Sequence, residues 1–373
     1  MMTNGFLIPA SRIRSSTSVH SPSGFLKIDN VAIRGLAACA PVTIEENADL
    51  PVFEEGEAER VINQTGIVRK HVVPPGTTAL DLCKAAMEKL LEDLKWEKDS
   101  IDVLIFVSTT FDHIIPPNSC ILQGMLELSE ETLCIDLRQG CPGWTHGMTT
   151  MTSLLSHGGM KRGILLVGDT TTLSHSPLDK ETRPLFGDAG TATALEFDPE
   201  AKPMEFYHGT RGKDYKSIYA KNGGFRYPLD EEALKFVEHG KNIRYRSTDV
   251  VMDGMSVFGF GLSMGPKSVN LLCEHFGIDK ENVDYYLFHQ ANHYMNDKIR
   301  KKLKIDESKV PYSMQDFGNT SCASIPLTLV SQCNKEYASK KLNSVACAFG
   351  VGLAWGCVHF ETENIVCPDL ILL

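Results

Sequence analysis

The sequence predicts an α/β protein built from two similar halves, and three observations carry that expectation. Between Asp102 and Gly168 the chain alternates strand, helix, strand, helix, strand, and the same order returns between Val283 and Phe349. Its strand candidates are nearly continuous apolar runs, the pattern of sheets covered by helices on both faces. No Pro/Ser-rich linker or low-complexity tract interrupts the chain after residue 27. The division is therefore a flexible extension over 1–26, an N-terminal half over 27–205 and a C-terminal half over 206–373.

In the first half, Thr78 with Asp81 three residues later forms a capping box. Behind it Ala79, Cys83, Ala86, Met87, Leu90 and Leu94 follow helical spacing. A strand over Asp102 to Ser108, a helix over Asn118 to Leu126 and a strand over Thr132 to Leu137 come next. A helix beginning near Cys141 and a strand over Gly163 to Gly168 close the half. The second half repeats the order with a strand over Val283 to Phe288, a helix from about Asn292 to Leu303 and a short strand around Val310 to Ser313. A helix through Pro326 to Cys333 and a strand over Ser344 to Phe349 complete it. The segment from Tyr207 to Asp249 is long, polar and aromatic; it carries no motif and reads as a lid or an entrance element.

Composition limits the function. With 373 residues, 42% of them hydrophobic, the chain can bury a large core, which excludes disorder. A net charge of −10 argues against a general nucleic-acid binder, because a phosphate backbone demands a basic face. Apolar runs such as Val103 to Val107 fall far short of the roughly 18 residues that cross a bilayer, so no membrane span is expected. The apolar stretch Phe6 to Pro9 is too brief for a secretory signal. Eleven cysteines, an odd number without a C-x-x-C pair, sit mostly inside apolar runs; this is the pattern of reduced thiols in a cytoplasmic protein.

Four places could carry chemistry. Cys141 lies in Gly140-Cys-Pro-Gly-Trp144, at a turn from a buried strand into a helix, where unpaired N–H groups and the helix dipole favour a thiolate. Against this stands the common case of an inert core thiol. His289 ends the apolar run Tyr285 to Phe288 and opens His-Gln-Ala-Asn292; ligands sit at such carboxyl ends of parallel strands, though a core histidine fits equally. His289 and His293 have the spacing of a zinc helix, but Gln290 replaces the required Glu, so no metal is expected. Asn319 follows Gly318 in a tight turn, where a plain capping role is the alternative. Phe349-Gly-Val-Gly-Leu-Ala-Trp-Gly356 misses G-x-G-x-x-G, so its glycines point to exposed N–H groups able to hold an oxyanion, not to a dinucleotide.

Taken in order, Gly140-Cys-Pro-Gly-Trp144, His289-Gln-Ala-Asn292, Gly318-Asn-Thr-Ser321 and Phe349 to Gly356 resemble the condensing enzymes of the thiolase superfamily, most closely β-ketoacyl-acyl-carrier-protein synthase III. Thr65-Gly-Ile67 and Leu185-Phe-Gly-Asp188 fall at the expected places between them, and the resemblance runs from about residue 27 to 362. It implies a thiolase-like five-layered αβαβα sandwich of two duplicated halves, normally a homodimer. It also implies that Cys141 is the nucleophile and that His289 and Asn319 polarise the thioester carbonyl of a malonyl extender as it loses CO₂. Backbone N–H groups of Cys141 and Val351 would hold the tetrahedral oxyanion, a contribution of about 3 to 4 kcal/mol per donor. The substrates implied are coenzyme A or acyl-carrier-protein phosphopantetheine thioesters, with a malonyl-carrier protein as extender and no metal or redox cofactor.

Departures from the family touch recognition. The Trp and Arg that sandwich the adenine of coenzyme A fall on Arg60 and Gln64; the Arg that usually follows His-Gln-Ala-Asn is Tyr294, and a Lys expected after Asp253-Gly254 is Gly259. The acyl donor or its carrier is therefore expected to differ from an acetyl-CoA primer. Lys298, Arg300, Lys301, Lys302 and Lys304, with Asn292, suggest a landing surface for an acidic carrier, against the plain alternative of a solvated helix face. His146, about one turn beyond Cys141, is expected to pack. Two competitors remain at this level: Cys-dependent acyl transfer to an alcohol or amine without decarboxylation, separated by malonyl-dependent CO₂ release, and a non-catalytic partner subunit, which would have no need of a thiol, imidazole and amide together.

Overall fold

A computed structural model describes residues 23–373. Its α-helices, in chain order, are α1 (Glu57–Thr65), α2 (Ala79–Leu94), α3 (Asn118–Leu126), α4 (Gly143–Leu155), α5 (Gly254–Phe276), α6 (His293–Leu303), α7 (Met314–Phe317) and α8 (Ser324–Ser339). The capping box read at Thr78 and Asp81 starts α2. One sheet orders its strands as Ile371–Leu372, Val31–Ala40, Asp188–Phe197, Arg162–Thr170, Val103–Ser108 and Leu133–Arg138. The other orders them as Phe25–Ile28, Met204–Thr210, Ala354–Glu363, Lys341–Gly350 and Tyr285–Phe288.

The duplication lies in the pairing. In the first sheet 103–108 runs parallel to 162–170, which is antiparallel to 188–197, itself antiparallel to 31–40. In the second, 285–288 runs parallel to 341–350, which is antiparallel to 354–363, itself antiparallel to 204–210. Strand periodicity builds the layers. Leu104 and Phe106 face outward to Leu82, Cys83, Met87 and Leu122 of α2 and α3, whereas Val103, Ile105 and Val107 face inward. There α4 and α8 fill the space between the sheets, with Trp144, Met148, Leu329 and Tyr337 packed against Leu165 on one side and Val358 and Phe360 on the other. Helices α5 and α6 cover the far face through Met264, Leu272, Met295 and Ile299. The result is the αβαβα sandwich, each fully buried large side chain contributing about 1.5–3 kcal/mol.

Three expectations are corrected. The extension drawn over 1–26 lies outside the described residues up to 22, but Phe25 and Leu26 already pair with Tyr207 and Phe206. The boundary at 205/206 falls inside the strand Met204–Thr210, and each terminus serves the opposite half: 25–28 joins the second sheet and 371–372 the first. No strand forms over Val310 to Ser313. Pro311 has no N–H to donate, and a side chain takes the place of a ladder: Gln290 donates Nε2–H to the Phe288 carbonyl at 2.7 Å and accepts the Ser313 N–H at 3.0 Å.

Candidate active site

Cys141, His289 and Asn319 come from three separate turns at the carboxyl ends of the two sheets and line one cavity of about 1350 Å³. Cys141 sits between the strand ending at Arg138 and α4, whose N-cap is Pro142. Small residues make this placement possible. A Cβ at Gly143 would meet the Cys322 Cβ at 2.8 Å, and one at Gly350 would overlap the Cys141 sulfur. Beneath the nucleophile, the buried carboxylate of Asp169 ties both halves together. Its Oδ1 accepts from Ser108, Thr109 and Thr110, while its Oδ2 accepts the Cys322 thiol at 3.1 Å.

At the Cys141 sulfur, burial opposes the thiolate that the helix start favours. Burial pushes Cys141 up to about 11, outweighing the Val351 N–H and its own N–H, both of which stabilise the sulfur anion. Those are the two backbone donors that the family resemblance implies for an oxyanion hole.

His289 ends the buried strand Tyr285–Phe288, with its N–H bonded to the Cys347 carbonyl at 3.0 Å. Its Nδ1 lies 2.7 Å from Ser324 Oγ, and the Ser321 carbonyl also faces the ring. Burial pushes the imidazole down to about 4, so it is neutral at pH 7. Asn319 is laced to the segment Leu185–Gly187: its N–H donates to the Leu185 carbonyl at 2.8 Å, and its own carbonyl accepts from Gly187 at 3.2 Å. Its side-chain Oδ1 accepts the Ser321 N–H at 2.9 Å, which leaves the NH₂ as the donating end. The Leu-Phe-Gly-Asp motif thereby has a physical task. The neutral imidazole and the amide can donate to an oxygen that acquires negative charge, and the thiol can accept an acyl group.

The peripheral residues divide. Arg60, Gln64 and Asn292 line the cavity, Asn292 also capping α6 through Oδ1, which accepts the Met295 N–H at 2.8 Å. Lys298, Arg300, Lys301 and Lys302 do not line it, and Asp297 holds Arg300 at 2.7 Å and Lys301 at 2.6 Å. His146 packs, with Nε2 3.3 Å from the Trp355 carbonyl. His293 turns to Tyr312. Among the described residues, no group of three or more His, Cys, Asp or Glu side chains is placed to hold a metal. Sequence reasoning missed Gln290, which splices the His289 strand to the Asn319 turn, whereas Tyr215–Gly224, within the segment read as a lid or an entrance element, lines the cavity.

Residues 135–212 match the model of 3-oxoacyl-[acyl-carrier-protein] synthase III, and residues 273–362 match the model of its C-terminal part. The chain is 30% identical over 328 residues to a β-ketoacyl-[acyl-carrier-protein] synthase III of Streptococcus agalactiae, covering 87% of this chain and 97% of that one. It superposes on a 3-oxoacyl-(acyl-carrier protein) synthase of Burkholderia xenovorans LB400 with a TM-score of 0.87 and 34% identity, over 94% of this chain and 99% of the other. A synthase III of Pseudomonas aeruginosa PAO1, 24% identical with a TM-score of 0.77 over 90% and 99% of the two chains, shares the fold.

Proposed function

Because this chain belongs to the 3-oxoacyl-[acyl-carrier-protein] synthase III family, we propose that it catalyses the decarboxylative condensation of an acyl thioester with a malonyl thioester in fatty-acid or related acyl-chain synthesis. The observation that carries this is the convergence of Cys141, His289 and Asn319 on one cavity, with the Val351 N–H on the sulfur. The Cys141 sulfur attacks the acyl carbonyl, its proton passes to the departing thiolate, and the N–H groups of Cys141 and Val351 hold the oxyanion. A malonyl thioester then enters. As its C–CO₂ bond breaks, negative charge moves to the thioester oxygen, where His289 and Asn319 donate hydrogen bonds. The carbanion attacks the acyl-Cys141 carbonyl, the C–S bond breaks, a β-ketoacyl thioester leaves, and the released Cys141 thiolate takes one proton from solvent to restore the thiol. These residues need no metal or redox cofactor for the sequence of steps.

A homodimer belongs to the same proposal. The strand Leu133–Arg138 is a sheet edge, paired with Val103–Ser108 on one side only among the described residues. Close to it in the chain Ile114, Ile115 and Met125 are exposed apolar side chains that a second copy would cover. A cytoplasmic setting fits eleven free cysteines, and among the described residues no helix is long and apolar enough to cross a membrane. The deciding experiment is intact-mass analysis after exposure to a panel of acyl-CoA and acyl-carrier donors, followed by malonyl thioester with CO₂ measured. A Cys141 adduct that then yields CO₂ and β-ketoacyl product is expected; transfer to an alcohol or amine without CO₂, or no adduct, overturns the proposal.

A further inference from the structure

We propose that Lys70 is a positioning residue for Asn319, its buried ammonium fixing the segment 183–187 to which the Asn319 backbone is bonded; the proposal rests on the function given above. Lys70 belongs to the short strand Arg69–His71 and is fully buried, a rare place for a lysine. It stands opposite Glu45 in the antiparallel pairing with Ile44–Glu46, so the two side chains share a face. Its Nζ lies 2.7 Å from Glu45 Oε2 and 3.4 Å from Asn47 Oδ1. The other charged groups near the ammonium are Arg183, which shares Glu45, and Asp188. Asp316 of α7, the helix packed on this strand, faces Arg69 instead, at 3.9 Å.

Two contacts carry this anchor to the amide of the site. Asn47, also fully buried, donates its amide hydrogens to the carbonyls of Ile67 and Pro184, each at 2.9 Å. Pro184 immediately precedes Leu185, whose carbonyl accepts the Asn319 N–H, and Gly187 donates to the Asn319 carbonyl. The stem of Lys70 makes the second contact: a Cβ on Gly187 would lie 3.2 Å from the Lys70 Cβ, and one on Gly318 3.4 Å from it. The lysine therefore packs against both strands of the Asn319 attachment. The Thr65-Gly-Ile67 motif also gains a task, since Ile67 supplies a carbonyl on which Asn47 is fixed. An apolar side chain would fill this volume without desolvating a charge; what the ammonium adds is direction, a single geometry for Glu45 and Asn47. Burial pushes Lys70 down to about 8, against the pull of Glu45 and Asp188. Between about 8 and the ordinary 10.5 the unfolded chain binds more protons than the folded one, so stability rises with pH while the folded ammonium is lost. A fall in activity over that window does not then come from unfolding at Lys70.

The test forms acyl-Cys141 first, with the donor that labels the wild type, and then times CO₂ release from malonyl-pantetheine in the wild type and in Lys70→Met, which keeps the stem and removes the charge. Lys70→Met is expected to acylate within about 2-fold of the wild-type rate and to release CO₂ about 10-fold more slowly at an unchanged KM, because a displaced Asn319 weakens a bond made in the transition state. In the wild type the CO₂ step should slow as pH rises through about 8, an inflection absent from the variant; acylating beforehand keeps the Cys141 titration out of the profile. Asn47→Ser keeps Lys70 but lacks the amide that reaches Ile67 and Pro184. It should show the same split between the two half-reactions, and it decides the question where the Met variant does not fold. A Met variant that releases CO₂ at the wild-type rate overturns the assignment, as do a parallel fall in acylation and CO₂ release or a wild-type profile flat through pH 8. A wild type that forms acyl-Cys141 and releases no CO₂ overturns the condensing function itself, and with it the step that Lys70 would serve.

Discussion

Val351 directs its backbone N–H at the sulfur of Cys141, joining a glycine-rich turn of the second half to the helix start of the first. The contact favours the anion, yet burial holds the thiol up at about 11. Below that value, thiolate increases about tenfold with each pH unit. Alkylation of Cys141 by iodoacetamide, followed by peptide mapping to separate it from exposed Cys120, should therefore climb steadily between pH 7 and 10. A plateau reached below pH 8 would mean that the helix start and the two N–H groups win over desolvation.

Gly350 is the residue that lets this contact form, because a Cβ there would occupy the space of the Cys141 sulfur. Gly350→Ala must displace either the sulfur or the strand end that carries Val351. We expect acylation, followed by intact mass, to slow by about 100-fold or more, the scale of losing an oxyanion donor. A variant that acylates at the wild-type rate would remove Val351 from the oxyanion assignment.

His289 and Asn319 are assigned to the second half-reaction only. His289→Ala and Asn319→Ala should acylate at close to the wild-type rate but release CO₂ from a malonyl thioester about 100-fold more slowly. Because the folded imidazole is pushed down to about 4, it stays neutral throughout the range in which an unburied histidine would gain a proton. The stability it contributes is intact above its ordinary value of 6.5 and is lost as pH falls from there through about 4. Decarboxylation by the wild type should accordingly show no inflection from His289 between pH 5 and 8. If all three alanine variants fail equally at acylation, the division of labour is wrong.

Cys141 and His289 were legible because each stands just after a strand, Leu133–Arg138 or Tyr285–Phe288, and that placement is local, whereas Asn319 follows the short helix Met314–Phe317 and Gly318 and was marked by its glycine turn alone. What was hidden depends on partners distant in sequence. Gln290 looks like a spacer between His289 and Ala291, and only the folded chain brings Ser313 to its amide, so the stretch before Asn319 was assigned a strand that it does not form. The exchange of terminal strands, 25–28 and 371–372, was invisible for the same reason. Burial of Cys141 opposes the thiolate that its helix position favours, and local sequence reports the dipole but not the desolvation. The α6 cations were legible as residues, but the capture of two of them, Arg300 and Lys301, by Asp297 was not weighed, although the i, i+3 and i, i+4 spacings were there to read.

Gln290→Leu should reveal the cost of that hidden splice. The substitution keeps much of the volume but leaves the Phe288 carbonyl and the Ser313 N–H buried without partners. Each orphaned group costs about 1–3 kcal/mol, so denaturant unfolding should show a loss of about 2–6 kcal/mol. Activity in the surviving folded fraction should fall in decarboxylation more than in acylation, because His289 and the turn leading to Asn319 lose their common strut. Unaltered stability would mean that water replaces the amide.

The last expectation concerns the sheet edge. The α3 N-terminus is fastened to the edge strand by Asp136, whose carboxylate accepts the Asn118 N–H at 2.6 Å and the Ser119 N–H at 2.9 Å. The segment before it, with Ile115 81% exposed, is therefore held beside Leu133–Arg138 and not free to fold back over its own apolar side chains. Such an edge invites a second copy, and two copies related by a two-fold axis would cover it reciprocally. Ile115→Asp places two like charges near that axis. Sedimentation should shift from dimer toward monomer, with thermal stability then depending on protein concentration less steeply than in the wild type. A wild-type protein that sediments as a monomer at micromolar concentration would refute the pairing, and the exposed isoleucines would then need another partner.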